Sequence, residues 1–266
     1  MIDFEYKNLR FGRKKMIIAV DIGNTTASFG FFKEGELELR FSLPSSTRIT
    51  PDKCWKKFQS FIEPTTKIKG VIFSSVSPYM TNVIKKFFDK YVKVTIKELK
   101  SDDDVGIVNC YEKPQQLGAD RMANALAAKK LYKLPSIIID LGTAITIDVI
   151  DEKSAFIGGI ILPGIGTSAE ALHKKTSLLP KIELVIPQYV LARNTISAIQ
   201  SGLTYGFAGM LKSLVRNIIV ETGIKTPSII LTGGHSRVIE PLMSDISTAV
   251  DPDLTLKGLY YAYITM

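Results

Sequence analysis

Residues 16–32 read MIIAVDIGNTTASFGFF, and the rest of the chain is organised around them. An apolar run over 17–20 ends in Asp21. A polar turn of Gly23, Asn24, Thr25 and Thr26 then leads into a second apolar run over 27–32. Two apolar runs joined by a short glycine-containing turn predict a β-hairpin, here with a carboxylate at the tip of its first strand. Gly23 permits close approach of backbone or ligand, and the amides and hydroxyls that follow it suit an anion. Alone, the pattern fits an ordinary hairpin as well as a binding site. The chain repeats it, however: SIIIDLGTA at 136–144 matches IIAVDIGNT at 17–25, aligning Asp21 with Asp140, Gly23 with Gly142 and Asn24 with Thr143. Two such tips in two α/β units predict a duplicated architecture with a cleft between the halves.

Composition sets the frame for that reading. With 266 residues, 45% apolar and 23% charged, the chain is long enough for one large or two smaller soluble domains. No apolar run reaches the ~18 residues of a membrane span. The first 15 residues carry Asp3, Glu5, Lys7, Arg10, Arg13, Lys14 and Lys15 with no apolar centre, unlike a secretory signal. Cys54 and Cys110 make neither a disulfide framework nor a zinc spacing, which predicts a cytoplasmic protein. The net charge of +8 is scattered, and Lys56-Lys57, Lys85-Lys86 and Lys129-Lys130 fall in helical patterns. Solvated helix faces account for it, so neither nucleic acid nor a membrane is expected as partner.

Residues 1–15 stand apart as an extension without an assigned role. From 16 the pattern predicts three strands (17–20, 27–32, 36–42), a helix over 52–62, a strand over 71–76, a helix over 79–90 and a strand over 92–96. An irregular connection over 101–114 leads to a helix over 119–132. Strands follow at 136–140, 145–150 and 154–162, and a helix at 168–176. A long helix over 195–221 is expected to break near Gly202 or Gly206. A strand at 228–231, a helix at 236–242, a strand at 246–250 and a helix at 254–263 close the chain. This order predicts one α/β domain over 16–132 and a second over 133–266.

Paired Gly-rich turns suit phosphate, and carboxylates at their tips suit a cation on a nucleotide. No G-x-x-x-x-G-K-[ST] occurs, which excludes a P-loop. GIGTSA at 164–169 fits G-x-G-x-x-A but lacks the expected strand–helix–strand setting. Thr232, Gly233 and Gly234 form a strand-to-helix turn open to a nucleoside or phosphate. The most pointed cluster is Gly118, Ala119, Asp120 and Arg121 at a helix start. A carboxylate there suits proton abstraction from a hydroxyl, and Arg121 suits a carboxylate or phosphate. His173 and His235 have no partner at ligand spacing, so metal binding by them is not expected.

Taken together, the motifs resemble the type III pantothenate kinase family. They are DIGNT at 21–25, GADR at 118–121, DLGTA at 140–144, GGIILPGIGTSAEAL at 158–172, LP at 179–180, RNT at 193–195, SG at 201–202, TGG at 232–234 and DPDLTLKGL at 251–259. The resemblance implies two ribonuclease-H-like domains of the acetate-kinase, sugar-kinase, Hsp70 and actin superfamily around a nucleotide cleft. It implies ATP-dependent phosphorylation of pantothenate, the first step towards coenzyme A. By the same resemblance, Asp21, Ile22, Gly23, Asn24, Thr25, Thr26, Ala27 and Ser28 bind ATP, Asp21 positions Mg²⁺, and Thr143 adds an ATP contact. Asp140 holds a monovalent cation, K⁺ or NH₄⁺. Tyr111, Gly118, Ala119, Asp120, Arg121 and Thr195 line the pantothenate site, with Asp120 as proton acceptor, and the family's homodimer closes that pocket. The family's Tyr-x-Asn-Pro reads Tyr111-Glu112-Lys113-Pro114 here, a departure on the substrate side. Two rivals stand beside this reading: a non-catalytic ATP-binding relative, and a sugar or acetyl-type kinase.

Overall fold

The computed structural model describes residues 15–45, 49–62, 66–247 and 249–266. It resolves into two compact units, one ending at Leu99 and the other starting at Lys100. Of the expected extension 1–15, all but Lys15 lies outside the described residues.

The first unit runs β1 (Lys15–Ile22), β2 (Thr26–Lys33), β3 (Glu36–Pro44), α1 (Pro51–Gln59), β4 (Lys67–Ser75), α2 (Pro78–Phe87) and β5 (Ile96–Glu98). Its sheet has the order β3-β2-β1-β4-β5. The first three strands are antiparallel, while β4 runs parallel to β1 and β5 parallel to β4. Strand alternation sends Met16, Ile18, Val20 and Ile22 into a core with Phe29, Phe31, Phe41, Phe58 and Phe87. Phe29 and Phe41 stack with ring centroids 4.7 Å apart. Helix α1 starts where Thr50 caps it, its hydroxyl accepting from the Lys53 amide at 3.3 Å, and Pro51 fills the first turn. The strand expected at 92–96 begins only at Ile96. A π turn over Phe88–Val92, ended by Lys93 at φ 55°, takes up the intervening chain.

The second unit runs β6 (Val108–Asn109), α3 (Ala119–Leu131), β7 (Ser136–Leu141), β8 (Ala144–Ile150), β9 (Ala155–Pro163) and α4 (Ile165–Lys175). It continues with α5 (Thr195–Thr222), β10 (Ser228–Thr232), α6 (Ser236–Met243), β11 (Ala249–Val250) and α7 (Leu254–Thr265). Its sheet has the order β11-β10-β7-β8-β9-β6. Counted from β9 to β11, order and strand directions repeat those of the first unit. The short β6 is an addition, parallel to the outer edge of β9.

The two faces of this sheet are distinct. Ile137, Ile139, Leu141, Ile145, Ile147 and Val149 pack with Ile165 of α4, with Leu203, Leu211 and Val215 of α5, and with Ile239 of α6. That apolar fastening carries α5 unbroken through Gly202 and Gly206, where sequence alone expected a break. Packing outweighs a glycine penalty of about 1 kcal/mol each. The opposite side carries α3, which packs on β7, β8 and α7. Met122, Ala123, Ala125, Leu126, Ala127 and Ala128 of α3 are all buried, so the helix needs cover on more than one side. Gly258 of α7 supplies it: a Cβ there would overlap the Ala123 carbonyl. Residues 100–132 therefore pack with the second unit, and the division falls after Leu99 rather than after Tyr132 as the sequence reading places it. Among the described residues, no helix is long and apolar enough to cross a membrane.

Candidate active site

In the first unit Asp21 closes β1 on the side away from Ile18, Val20 and Ile22. It stands in register with Ser28 of β2 and Ser74 of β4, and the Ser74 hydroxyl donates to Asp21 Oδ1 at 2.9 Å. The hairpin turn is tight, with the Gly23 amide donating to the Thr26 carbonyl at 2.9 Å. The Ser45 hydroxyl donates to the Gly23 carbonyl at 2.7 Å, and the Ser45 amide to the Thr25 carbonyl at 2.8 Å. Asn24, Thr25 and Thr26 are exposed at this tip. Ile22 and Ala27 are core residues, so of these two only the backbone is open to a ligand.

In the second unit the same alternation places Asp140 of β7, and Thr146 and Asp148 of β8, on the α3 side of the sheet. Arg121 and Asn124, three apart on α3, meet them. Arg121 donates from Nε and Nη2 to Asp148 Oδ1, at 2.8 and 2.5 Å. Its Nη1 donates to the Tyr111 hydroxyl at 2.8 Å. Asn124 donates to Asp140 Oδ2 at 3.0 Å and accepts from the Thr255 hydroxyl of α7 at 2.8 Å. Asp120 occupies the first turn of α3, where its Oδ1 accepts from the Arg121 amide at 2.9 Å. A Cβ on Gly118 would overlap that oxygen, so the glycine makes room for the carboxylate over the helix start.

Burial pushes the Asp140 carboxyl up to about 7, with Asp120 and Asp148 adding to the rise and the Asn124 amide opposing it. Burial also lifts Asp148 to about 6, against the pull of Arg121 and Thr146. Burial pulls the Arg121 guanidinium down, but Asp148 and then Tyr111 outweigh it and hold it above its ordinary value. At neutral pH Arg121 and Asp148 therefore stand as a buried ion pair.

Three turns gather at Asp140. Gly233, at φ 86°, crosses so closely over Asp140 Oδ1 that a side chain there would overlap it. The His235 amide donates to the Leu141 carbonyl at 3.1 Å. GIGTSA opens α4 docked on the β7–β8 turn: the Gly164 amide and the Thr167 hydroxyl both donate to the Thr143 carbonyl, at 3.1 and 2.6 Å. Thr143 itself is exposed. Among the described residues, Thr232 Oγ1 and His235 Nδ1 are buried without a hydrogen-bond partner.

The residues expected on the pantothenate side thus divide. Gly118, Ala119, Asp120, Arg121 and Tyr111 lie together around the start of α3. Thr195 is the exposed first residue of α5 and, among the described residues, bonds none of them. The loop that carries Tyr111 is braced by Asn109, which donates to the Pro114 carbonyl at 3.0 Å and accepts from the Tyr111 amide at 3.1 Å. Lys113, the departure from the family pattern, is exposed. Sequence reasoning missed Asp148, Asn124 and Ser74. The Asp148 signal was available: an acidic residue within the apolar run of ITIDVI must find a partner if the strand is buried.

Three solved structures share the fold across most of their length. A protein of Campylobacter jejuni named for the Baf family of transcriptional activators is 20% identical, covers 93% of this chain and 97% of its own, and gives a TM-score of 0.56. An ethanolamine utilization protein of Carboxydothermus hydrogenoformans is 11% identical, with 96% and 91% covered and a TM-score of 0.54. Component A of (R)-2-hydroxyglutaryl-CoA dehydratase from Acidaminococcus fermentans is 12% identical, with 93% and 95% covered and a TM-score of 0.51. With the repeated strand order, they agree with a fold of two ribonuclease-H-like domains. The family model described as type III pantothenate kinase matches residues 17–217, a stretch that takes in both hairpin tips and the Asp120–Arg121 pair. The chain belongs to the type III pantothenate kinase family, ATP-using transferases that phosphorylate pantothenate for coenzyme A synthesis.

Proposed function

We propose that Asp120 accepts the proton of the pantothenate hydroxyl as the phosphoryl group is transferred, with Tyr111 and Arg121 on the same substrate. The observation that carries this reading is the Asp120 carboxylate at the start of α3, next to an arginine that Asp148 holds in place. The half-buried position of Asp120 lets a substrate hydroxyl reach it. The exposed turn Asn24, Thr25 and Thr26, with Ser28 and the backbone of Ile22, Gly23 and Ala27, suits the ATP phosphates, and the exposed Thr143 suits a further ATP contact.

Asp21 suits Mg²⁺, because that ion takes one or two carboxylates beside phosphate oxygens and water. When bound, Mg²⁺ neutralises charge on the phosphates. Among the described residues no group of three or more His, Cys, Asp or Glu could hold a metal. A lone carboxylate braced by Ser74 is the donor set such a nucleotide-borne ion needs. Asp140 suits a monovalent cation: its carboxylate is buried with Asp120 and Asp148 near it, and the buried Thr232 hydroxyl lies in register beside it with no hydrogen-bond partner among the described residues.

A homodimer is the second part of the proposal. Leu178 (90% exposed), Tyr189, Val190, Leu191 (85%) and Ile196 are exposed apolar residues of the second unit, the last four within six positions of the exposed Thr195, and a second copy covering this surface would bring Thr195 to substrate. Cys54 and Cys110 are both free thiols, which agrees with a cytoplasmic enzyme.

One assay decides the substrate. Protein mixed with ATP, Mg²⁺, K⁺ and pantothenate should release ADP, while sugars or acetate in place of pantothenate should not. ADP release with a sugar alone would move the chain to another kinase, and none with any acceptor would make it a binding protein. Light scattering of the same sample should give the mass of two chains.

A further inference from the structure

The second unit contains a buried ion pair that stability alone does not require. Asp148 is fully buried and Arg121 is 5% exposed. Breaking such a pair is costly, yet replacing both partners with apolar side chains is often neutral or stabilising. What the pair does supply is orientation. Nε and Nη2 of Arg121 converge on one oxygen, Asp148 Oδ1, while the other, Oδ2, accepts from the Thr146 hydroxyl at 3.2 Å. The Phe156 ring lies 5.4 Å from the guanidinium carbon. Gly159, opposite Asp148 in the β8–β9 register, leaves the space: a Cβ there would overlap Arg121 Nη2.

The remaining bond runs from Arg121 Nη1 to the Tyr111 hydroxyl. A guanidinium only donates, so the Tyr111 oxygen must accept. Its own proton is then left to donate elsewhere. The Tyr111 ring is held edge-on against Phe156, at 5.5 Å and 74°, which directs that hydroxyl.

We propose that Asp148 is a positioning residue of the acceptor site, acting through Arg121 to make the Tyr111 hydroxyl a fixed hydrogen-bond donor to an acceptor oxygen of the substrate, a carboxylate or amide carbonyl. This rests on the reading of Tyr111 and Arg121 as substrate residues. Asp148 touches no substrate; it sets which kind of group the site will take.

A double-mutant cycle tests it. Tyr111→Phe should raise the KM for pantothenate by about 10-fold, the worth of a hydrogen bond to a charged group. Asp148→Asn should raise it by a similar factor, and the double variant no more than the larger single one. The KM for ATP should stay within about twofold throughout, since a hydrogen bond lost on the acceptor side leaves ATP binding alone. Multiplying effects, or a parallel rise in the KM for ATP, would overturn the positioning role and leave a merely structural one. An unchanged KM in Tyr111→Phe would instead overturn the reading of Tyr111 as a substrate residue. Should Asp148→Asn fail to fold, Thr146→Val removes only the hydroxyl bond to Oδ2 and enters the same cycle, with the same non-additivity required.

Discussion

The two units share a strand order and a register yet differ in what they do with the hydroxyl beside their acidic tip. Asp21 lies opposite Ser28 and Ser74, and Asp140 opposite Thr146 and Thr232. In the first unit Ser74 bonds Asp21. In the second, Thr232 is buried without a partner among the described residues, and the carboxylate takes the Asn124 amide of α3 instead. The first unit fills its core with phenylalanines and leaves its turn exposed. The second adds β6, turns the polar side of its sheet towards α3, and sets Asp120, Asp140 and Asp148 close enough for their charges to interact. A duplicated scaffold has thus been loaded unevenly: one acidic tip bonds the hydroxyl in register with it, and the other is buried beside a hydroxyl that it does not bond.

The largest test of that asymmetry is to neutralise one carboxylate from each unit. Asp120→Asn should lower kcat by ~10²–10⁴-fold with the KM for ATP unchanged, as expected for loss of a general base. Asp21→Asn should act mainly on the dependence on Mg²⁺ and ATP. Steady-state kinetics separates the two, and near-normal turnover in Asp120→Asn would remove the base from the second unit.

A smaller effect follows from Asp148. The carboxylate, not the neutral acid, holds Arg121. With its folded value raised to about 6, that form is lost as pH falls through 6, where an ordinary aspartate would keep it to about 4. The KM for pantothenate should therefore rise as pH drops from 7 to 5, and Asp148→Asn should flatten the profile. If the first unit's turn binds ATP as proposed, the KM for ATP should not follow it.

Much of this asymmetry was hidden in the sequence. The hairpins, the repeat of Asp21 in Asp140 and the cluster at Asp120 follow from local pattern, because period-two alternation and turn chemistry are short-range properties. The placing of α3 did not follow: its burial depends on α7, some 130 residues later, reached through a glycine at 258 whose need is set by Ala123. Asn124 was unreadable for the same reason, and for Asp148 the sequence signals the need of a partner but not that the partner is Arg121. The unbroken α5 likewise reflects packing that its glycines do not announce.

The α3–α7 crossing carries its own prediction. Gly258→Ala should destabilise the protein by about 1–3 kcal/mol, because the new methyl meets backbone rather than a yielding side chain. In a chain of this size that is a drop of several degrees in Tm. A thermal midpoint unchanged from wild type would mean that α7 can slide on α3.

The finest test compares the paired hydroxyls directly. Ser74→Ala removes a made hydrogen bond to the Asp21 carboxylate, so it should cost about 1 kcal/mol in any medium. Thr232→Val replaces a buried hydroxyl that bonds nothing with a methyl of the same shape, and in sodium it should be neutral or stabilising by up to ~1 kcal/mol. Potassium should reverse that ordering. If a cation at Asp140 uses the Thr232 hydroxyl, wild type gains stability from potassium by mass action and Thr232→Val gains less, while Ser74→Ala gains as much as wild type. Thermal melts of the three proteins in sodium and in potassium read this without any turnover. Equal losses for both substitutions in both salts would mean that the second hydroxyl is as internally satisfied as the first, and that the asymmetry between the two tips lies elsewhere.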